Sequence, residues 1–225
     1  VLTFQASPNY EDAGCGSGDD SNTCAVVIQV TDGANTDTIT VTVNVQDVND
    51  NTPTYSSSSN TKSMQENSLV VDTVLISDSD LDATNSNTCN LGGADSSKFT
   101  CTANDSAYVL KFTNGPDYDT PGDADGDNVY VVTTAINDGT NTGSSITYTL
   151  TITDYNDQTP TYTSSDTTPE VVEGQTAVET VAITDTDALD TNGCILGGAD
   201  ADDFSCTISS TQYVLAFASA PDYDS

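Results

Sequence analysis

The chain has 225 residues, of which 35 are Asp or Glu and three are Lys or Arg, so its net charge is −32; it has no histidine and no tryptophan. Such a polyanion repels phosphate backbones and anionic lipid, which excludes nucleic-acid and membrane-surface binding. Without histidine there is no Ser-His-Asp or Cys-His catalysis and no His-ligated zinc, and because the three cations are Lys62, Lys98 and Lys111 there is no arginine clamp for phosphate or carboxylate.

Hydrophobic residues make up 35% of the chain, thin for one large core and adequate for several small ones. They are mostly Val, Ile, Leu and Tyr interleaved with Thr, a composition that reads as all-β. In chain order, strands are predicted at 26–30 and at 39–45, where Ile39, Val41, Val43 and Val45 alternate with Thr40, Thr42 and Asn44. Further strands are predicted at 70–76, 108–112, 129–135, 178–183 and 213–217, and at 146–152, where Ile146, Tyr148, Leu150 and Ile152 alternate with threonines. Asp32-Gly33 and Asp138-Gly139 mark hairpin connections. No segment carries helical periodicity, and no apolar run approaches the ~18 residues of a membrane span. No signal peptide is visible, so targeting signals are expected outside these residues.

The chain repeats itself. Val1-Leu2-Thr3-Phe4 returns at 109–112 and 214–217, and Pro8-Asn9-Tyr10-Glu11 at 116–119 and 221–224. Asp-Val-Asn-Asp-Asn-Thr-Pro at 47–53 returns 107 residues later as Asp-Tyr-Asn-Asp-Gln-Thr-Pro at 154–160. Cys-Asn-Leu-Gly-Gly-Ala-Asp at 89–95 returns 105 residues later at 194–200. The period is domain-sized, and about seven short strands per period is the pattern of an immunoglobulin-like sandwich. The predicted division is 1–53, the C-terminal half of one repeat; 54–160, a complete repeat; and 161–225, the N-terminal part of a third. The whole reads as a stretch of a longer tandem array.

Six cysteines form three close pairs, Cys15 with Cys24, Cys89 with Cys101 and Cys194 with Cys206, the last two pairs each 12 residues apart. No Cys-x-x-Cys spacing occurs, so disulfides in an oxidising, extracellular compartment are expected rather than a thiolate metal site. Closing loops of this length adds roughly 3 kcal/mol in the chain-entropy model.

The carboxylates collect in short motifs that interrupt or end strands at fixed intervals. Per period these are a lone Glu (Glu66, Glu173), an acidic pair (Asp78 and Asp80; Asp185 and Asp187) and acids around a Tyr (Glu11; Asp117 and Asp119; Asp222 and Asp224). An Asp before Gly (Asp32, Asp138) and the Asp-rich runs at 47–53 and 154–160 complete the set. Like charges gathered this way repel without a cation, and calcium takes six to eight oxygens from several loops. A solvated acidic surface does not predict recurrence at fixed spacing.

The run at 47–53 resembles the inter-repeat calcium linker of cadherin domains, and the other motifs follow in that family's order. Ala135-Ile136-Asn137-Asp138-Gly139, Asp78-Ser79-Asp80, Asp117-Tyr118-Asp119, Gln65-Glu66-Asn67, and Phe99 with the 108–112 run are each similar to cadherin motifs, and together they cover essentially the whole chain. The resemblance implies tandem Greek-key β-sandwiches with no helical domain, and about three Ca2+ ions per complete linker. For the first linker it implies Glu11 and Asn9 from the upper repeat; Asp47, Asn49 and Asp50 with backbone oxygens of Val48 and Asn51 from the linker; and Asp78, Asp80, Asp138 and an Asn at 85 or 87 from the lower repeat. For the second it implies Glu66, Asp117 and Asp119; then Asp154, Asn156 and Asp157 with the backbones of Tyr155 and Gln158; then Asp185, Asp187 and Asn192. Glu173, Asp222 and Asp224 would begin a third site, and Asp32 would complete one above. The sequence departs from the family at Asn9, which replaces an acid, at Asp119 and Asp224, which are shorter than the family's Glu, and at Gln158 in place of Asn.

The function this implies is an extracellular structural or adhesive protein, a calcium-stiffened rod or fibre subunit whose partners are calcium and further copies of itself or neighbouring repeats. The alternative is the stalk of a carbohydrate- or ice-binding adhesin whose binding domain lies elsewhere. Without metal the linkers are expected to flex, and calcium rather than pH is the expected switch. No catalysis is expected, because the paired carboxylates lie at repeat junctions without an evident aromatic cleft. Asp123-Ala124-Asp125-Gly126-Asp127 reads as a surface loop. Thr-x-Thr rows (Thr38, Thr40, Thr42; Thr147, Thr149, Thr151) read as the polar face of strands, with ice or glycan binding as the other readings. Asn104-Asp105-Ser106 is a candidate N-glycosylation sequon, and Ser/Thr stretches at 54–59 and 161–168 suit O-glycosylation.

Overall fold

The computed structural model describes residues 1–12, 22–56, 59–80, 87–163, 166–187, 192–208 and 211–224. Strand after strand follows the period-two pattern. β1 (Thr23–Thr31) and β2 (Thr36–Asn44) form an antiparallel hairpin. Its four-residue turn holds Gly33 at φ 99, a left-handed conformation open to glycine. The Asp32 carboxylate fastens the turn by accepting the Ala34 and Asn35 N–H groups at 2.9 and 2.7 Å. These contacts pull the Asp32 carboxyl down to about 2, the Asn35 N–H contributing most.

The next eight strands build one complete sandwich: β3 (Thr54–Tyr55), β4 (Thr61–Gln65), β5 (Val70–Ser77), β6 (Thr88–Gly92), β7 (Phe99–Ala103), β8 (Ala107–Phe112), β9 (Val129–Asn137) and β10 (Ile146–Thr153). One sheet runs β4-β10-β9-β6 and the other β3-β5-β8-β7. β4 lies parallel to β10, while the other pairs are antiparallel. This is a Greek-key β-sandwich, with only two 3-10 turns (Ser96–Lys98 and Ala201–Asp203) among the described residues. β10 buries Tyr148, Leu150 and Ile152 and turns Thr147, Thr151 and Thr153 outward, as the alternation requires. These side chains meet Val74, Tyr108, Leu110, Phe112, Tyr130, Val132 and Ile136 in a single core.

A polar chain runs through that core and ties the two sheets together. The Tyr108 hydroxyl lies 3.0 Å from Thr134 Oγ1 and 2.9 Å from the Tyr148 hydroxyl, and Tyr148 donates to Asp72 Oδ2 at 3.1 Å. Asp72 in turn pairs with Lys62 at 2.9 Å. Every link is partnered, which is what a buried polar chain needs in order not to destabilise the fold. Disulfides join Cys89 to Cys101 across β6 and β7, and Cys194 to Cys206 one repeat later. Cys15, and with it the expected third pairing, lies outside the described residues.

After the second Asp-rich run come β11 (Thr161–Tyr162), β12 (Ala177–Thr184), β13 (Phe204–Ile208) and β14 (Gln212–Phe217), in one sheet of order β11-β12-β14-β13. That order repeats β3-β5-β8-β7. Strands β3, β4, β6, β7, β11 and β13 were not separately predicted, β3 and β11 being only two residues long. β4 has a single apolar inward residue, Met64, and β6 and β7 are five-residue segments in which cysteine and small polar residues thin out the alternation.

Candidate metal centres at the repeat junctions

Each junction is built from loop ends that the strands bring together. At the first, Glu11, Asp47 and Asp80 each place a carboxylate oxygen within 4.8 Å of the others, and Asp78, Asp80 and Asp138 form a second such group. At the second junction the groups are Glu66, Asp119 and Asp154, and Asp119, Asp157 and Asp187. One carboxylate, Asp80 or Asp119, belongs to both groups at its junction.

The linkers dock through directed hydrogen bonds. The Asn51 backbone N–H donates to Asp80 Oδ2 at 2.9 Å, and the Gln158 N–H makes the corresponding bond to Asp187 Oδ2, also at 2.9 Å. Glu66 receives the Tyr118 N–H on one oxygen and the Tyr155 N–H on the other, both at 2.8 Å, so it joins its own repeat to the linker that follows. The first of these contacts recurs at Glu173, which accepts the Tyr223 N–H at 3.0 Å. Asp138 lies in the turn after β9, with Gly139 at φ 102, and its Oδ1 accepts the Thr140 and Asn141 N–H groups at 2.8 and 2.6 Å.

What remains unmatched decides the chemistry. Glu11 Oε1, Asp78 Oδ2, Asp119 Oδ2, Asp138 Oδ2, Asp185 Oδ2 and Asp187 Oδ1 are buried and accept no hydrogen bond. At separations of at most 4.8 Å, each pair of like charges repels by at least about 3.5 kcal/mol at an effective dielectric of 20. Three such pairs come close to the whole stability of a domain, about 5–15 kcal/mol. The groups therefore need either protons or a cation. Asp119 shows the strain: burial first, then the charges of Asp187, Glu66, Asp154 and Asp117, push its carboxyl up to about 6. Asp78 is also raised, by burial and then by Asp80 and Asp138. A set made only of carboxylate, amide and carbonyl oxygens is hard and suits calcium, so the residues present fit that ion.

Asp117 accepts the Thr120 N–H at 2.9 Å in its own turn, and Asp50 accepts from the Asn51 side chain at 3.2 Å. Asp185 is not among the four carboxylate groups, nor are Asp32, Glu173, Asp222 and Asp224, which the resemblance assigns to junctions beyond these two. Val48 and Tyr155 turn exposed side chains to solvent. Asn87 is buried and its Oδ1 accepts no hydrogen bond, whereas position 85 lies outside the described residues. Three contacts escaped the sequence reading. Asn141 Nδ2 donates to Asn49 Oδ1 at 3.1 Å and to the Asn51 carbonyl at 2.8 Å, and Asn67 Nδ2 donates to Asp157 Oδ2 at 2.9 Å. No local signal announces them, since the partners lie about 90 residues apart. In the 123–127 loop, Asp123, Asp125 and Asp127 also gather, but the Asp123 oxygens already accept the Gly126, Asp127 and Asn128 N–H groups.

No protein-family model matches the sequence, and no curated protein matches it. Solved structures do. Protocadherin gamma-B3 extracellular domains 1–4 align over 97% of this chain and 52% of their own, at TM-score 0.61 and 20% identity. Protocadherin gamma-B7 domains 3–6, a cis-dimer structure, align over 97% and 53%, at TM-score 0.53 and 20% identity. Mouse protocadherin gamma-C3 domains 1–3 align over 96% and 71%, at TM-score 0.53 and 16% identity. The chain spans about half the length of the first two. Its fold is that of tandem cadherin-type repeats.

Proposed function

We propose that this chain is part of an extracellular, calcium-stiffened tandem-repeat rod of structural or adhesive function. It divides into part of one repeat (1–53), a whole repeat (54–160) and part of a third (161–225). The observation that carries the reading is the recurrence, at both junctions, of paired carboxylate groups with buried oxygens that accept no hydrogen bond. Three of the four groups combine a linker acid with acids of a flanking repeat, and the fourth, Asp78, Asp80 and Asp138 of the lower repeat, shares Asp80 with the first of them, so neutralising the set fixes one repeat against the next. Calcium would supply the compensating positive charge, and these oxygens would be its ligands. Asp80 and Asp119 would serve both groups at their junctions; Glu66 and Asp187 clamp the linker through its backbone; Asn49, Asn51, Asn156 and Gln158 would contribute neutral oxygens. About three ions per complete linker, Asn87 or Asn192 as a further ligand, and a third disulfide between Cys15 and Cys24 belong to the same proposal.

The two disulfides and the cadherin-type fold support an extracellular setting. Asn104, exposed at the turn between β7 and β8, is the proposed attachment point for an N-glycan. Self-association of copies is the proposed mode of adhesion or fibre formation, and a cis-dimer among the similar structures is consistent with it. The test is a calcium titration by calorimetry beside small-angle scattering of the same protein. Saturable binding with a lengthened, stiffened particle is expected. Absence of binding in millimolar calcium, or scattering unchanged by chelator, overturns the reading.

A further inference from the structure

The acids are concentrated in loops. Of the 35, only Asp37, Asp72 and Glu179 lie in described strands. Among the described residues, the outward positions of the β4-β10-β9-β6 sheet carry no charged side chain. There Thr147, Thr149 and Thr151 of β10 stand beside Thr61 and Ser63 of β4 and Val129 and Val131 of β9. The preceding repeat presents the same face: Thr38, Thr40 and Thr42 of β2, all exposed, pair with Gln29, Val27 and Ala25 of β1. The sheet on the opposite side of the sandwich differs, since Lys111 points outward between Val70 and Thr100.

We propose that this uncharged Thr/Val face is a lateral docking surface for a second copy of the chain. Two molecules of charge −32 repel wherever their loops meet, and like charges brought face to face cost several kcal/mol. Approach is open only where carboxylates are absent. A face of β-branched side chains packs on its equal at the ~10 Å spacing of stacked sheets, burying methyl groups while the hydroxyls exchange hydrogen bonds. Recurrence identifies the occupant. A patch repeated once per domain is matched at several points together only by a partner of the same period, and several weak contacts in register add as avidity. The inference deepens the self-association part of the proposed function and is independent of its calcium part.

The experiment is sedimentation velocity of the whole chain in calcium, from about 50 mM to 1 M NaCl. The Debye length falls to about 3 Å at the upper end, so screening lowers the repulsion and the dimer fraction rises with salt. The double variant T147D/T151D weakens association at least about tenfold, because four carboxylates then oppose one another across the interface. T147V/T151V, which keeps the face uncharged and exchanges hydroxyl hydrogen bonds for methyl contacts, stays within a few-fold of the parent. T100D/T102D, with the same added charge on the opposite sheet, also associates as the parent does. A cooperative thermal transition verifies that each variant is folded. A parent chain that stays monomeric at millimolar concentration and high salt overturns both the surface and the self-association reading. A parent that dimerises while T147D/T151D dimerises equally overturns the surface alone, as does equal loss in T100D/T102D. A monomeric parent that depresses the freezing point assigns the face to ice and overturns the proposal.

Discussion

The two junctions share one plan and differ in how the linker is held. At the first, seen with its lower repeat whole, the Asn51 side chain reaches Asp80 Oδ1 at 2.7 Å, and Asn141 bonds both Asn49 and Asn51. At the second, seen with its upper repeat whole, the Gln158 side chain reaches only its neighbour Asp157, at 2.8 Å, while Glu66 and Asn67 tie the linker upward. At the second junction the linker is thus hydrogen-bonded to both flanking repeats, to Glu66 and Asn67 above and Asp187 below, and at the first it is bonded to the lower repeat through Asp80 and Asn141.

The largest test of this comparison removes the two carboxylates that belong to two groups each. Asp80→Asn should weaken calcium binding at the first junction about 100-fold and leave the second intact, and Asp119→Asn should do the reverse, because site affinity tracks ligand charge. Calorimetry of the two variants reads this directly as loss of separate subsets of sites. A uniform loss in both would mean that the junctions are coupled.

The next effect is smaller and belongs to the metal-free state. Asn141→Ala deletes two hydrogen bonds to the first linker, each worth about 1 kcal/mol net. Hydrogen exchange at the Asn51 amide, measured in chelator, should quicken about 30-fold while the β9 and β10 amides stay protected. If exchange is unchanged, the linker is not held by that side chain.

Asn141 also shows where reading the sequence stops. The acidic motifs recur in order, so the convergence of Asp78, Asp80 and Asp138 was legible, as were the strands with strict alternation such as β2 and β10. Long-range amide contacts were not: Asn141 is one Asn among many, and only the fold brings it against residues 49 and 51. β4 escaped for a related reason. Its place as an edge strand, parallel to β10, depends on pairing rather than on its own composition. The Asp119 shift was equally hidden, because it arises from burial first and then from charges that three other segments bring beside it.

That shift supplies the third prediction. Asp119 sits at about 6 in the folded chain against an ordinary 3.8, so between these values the folded state holds a proton that the unfolded state has released. The stabilisation is full below pH 3.8 and is lost as pH rises through 6. In chelator, melting temperature should therefore fall by a few degrees between pH 5 and pH 7, and Asp119→Asn should flatten that slope. Calcium binding at the second junction should weaken below pH 6 as the proton competes, so pH joins calcium as a control there.

The finest contrast is the exchange of Asn51 and Gln158. Both donate their backbone N–H to the second acid of the pair that follows, at the same 2.9 Å, so the fold does not depend on which is present. Their side chains differ in reach. The shorter amide of Asn51 closes onto Asp80, a member of both groups at its junction, and so fixes the orientation of that carboxylate. Gln158 turns back to Asp157 and leaves Asp187 held by the backbone N–H. Gln158→Asn should orient Asp187 as Asp80 is oriented and tighten calcium at the second junction by a few-fold, about the worth of one hydrogen bond, and Asn51→Gln should loosen the first by the same factor. Equal affinities in both exchanges would mean that the backbone bond alone sets the carboxylate, and that the two linkers, for all their different side chains, work as one.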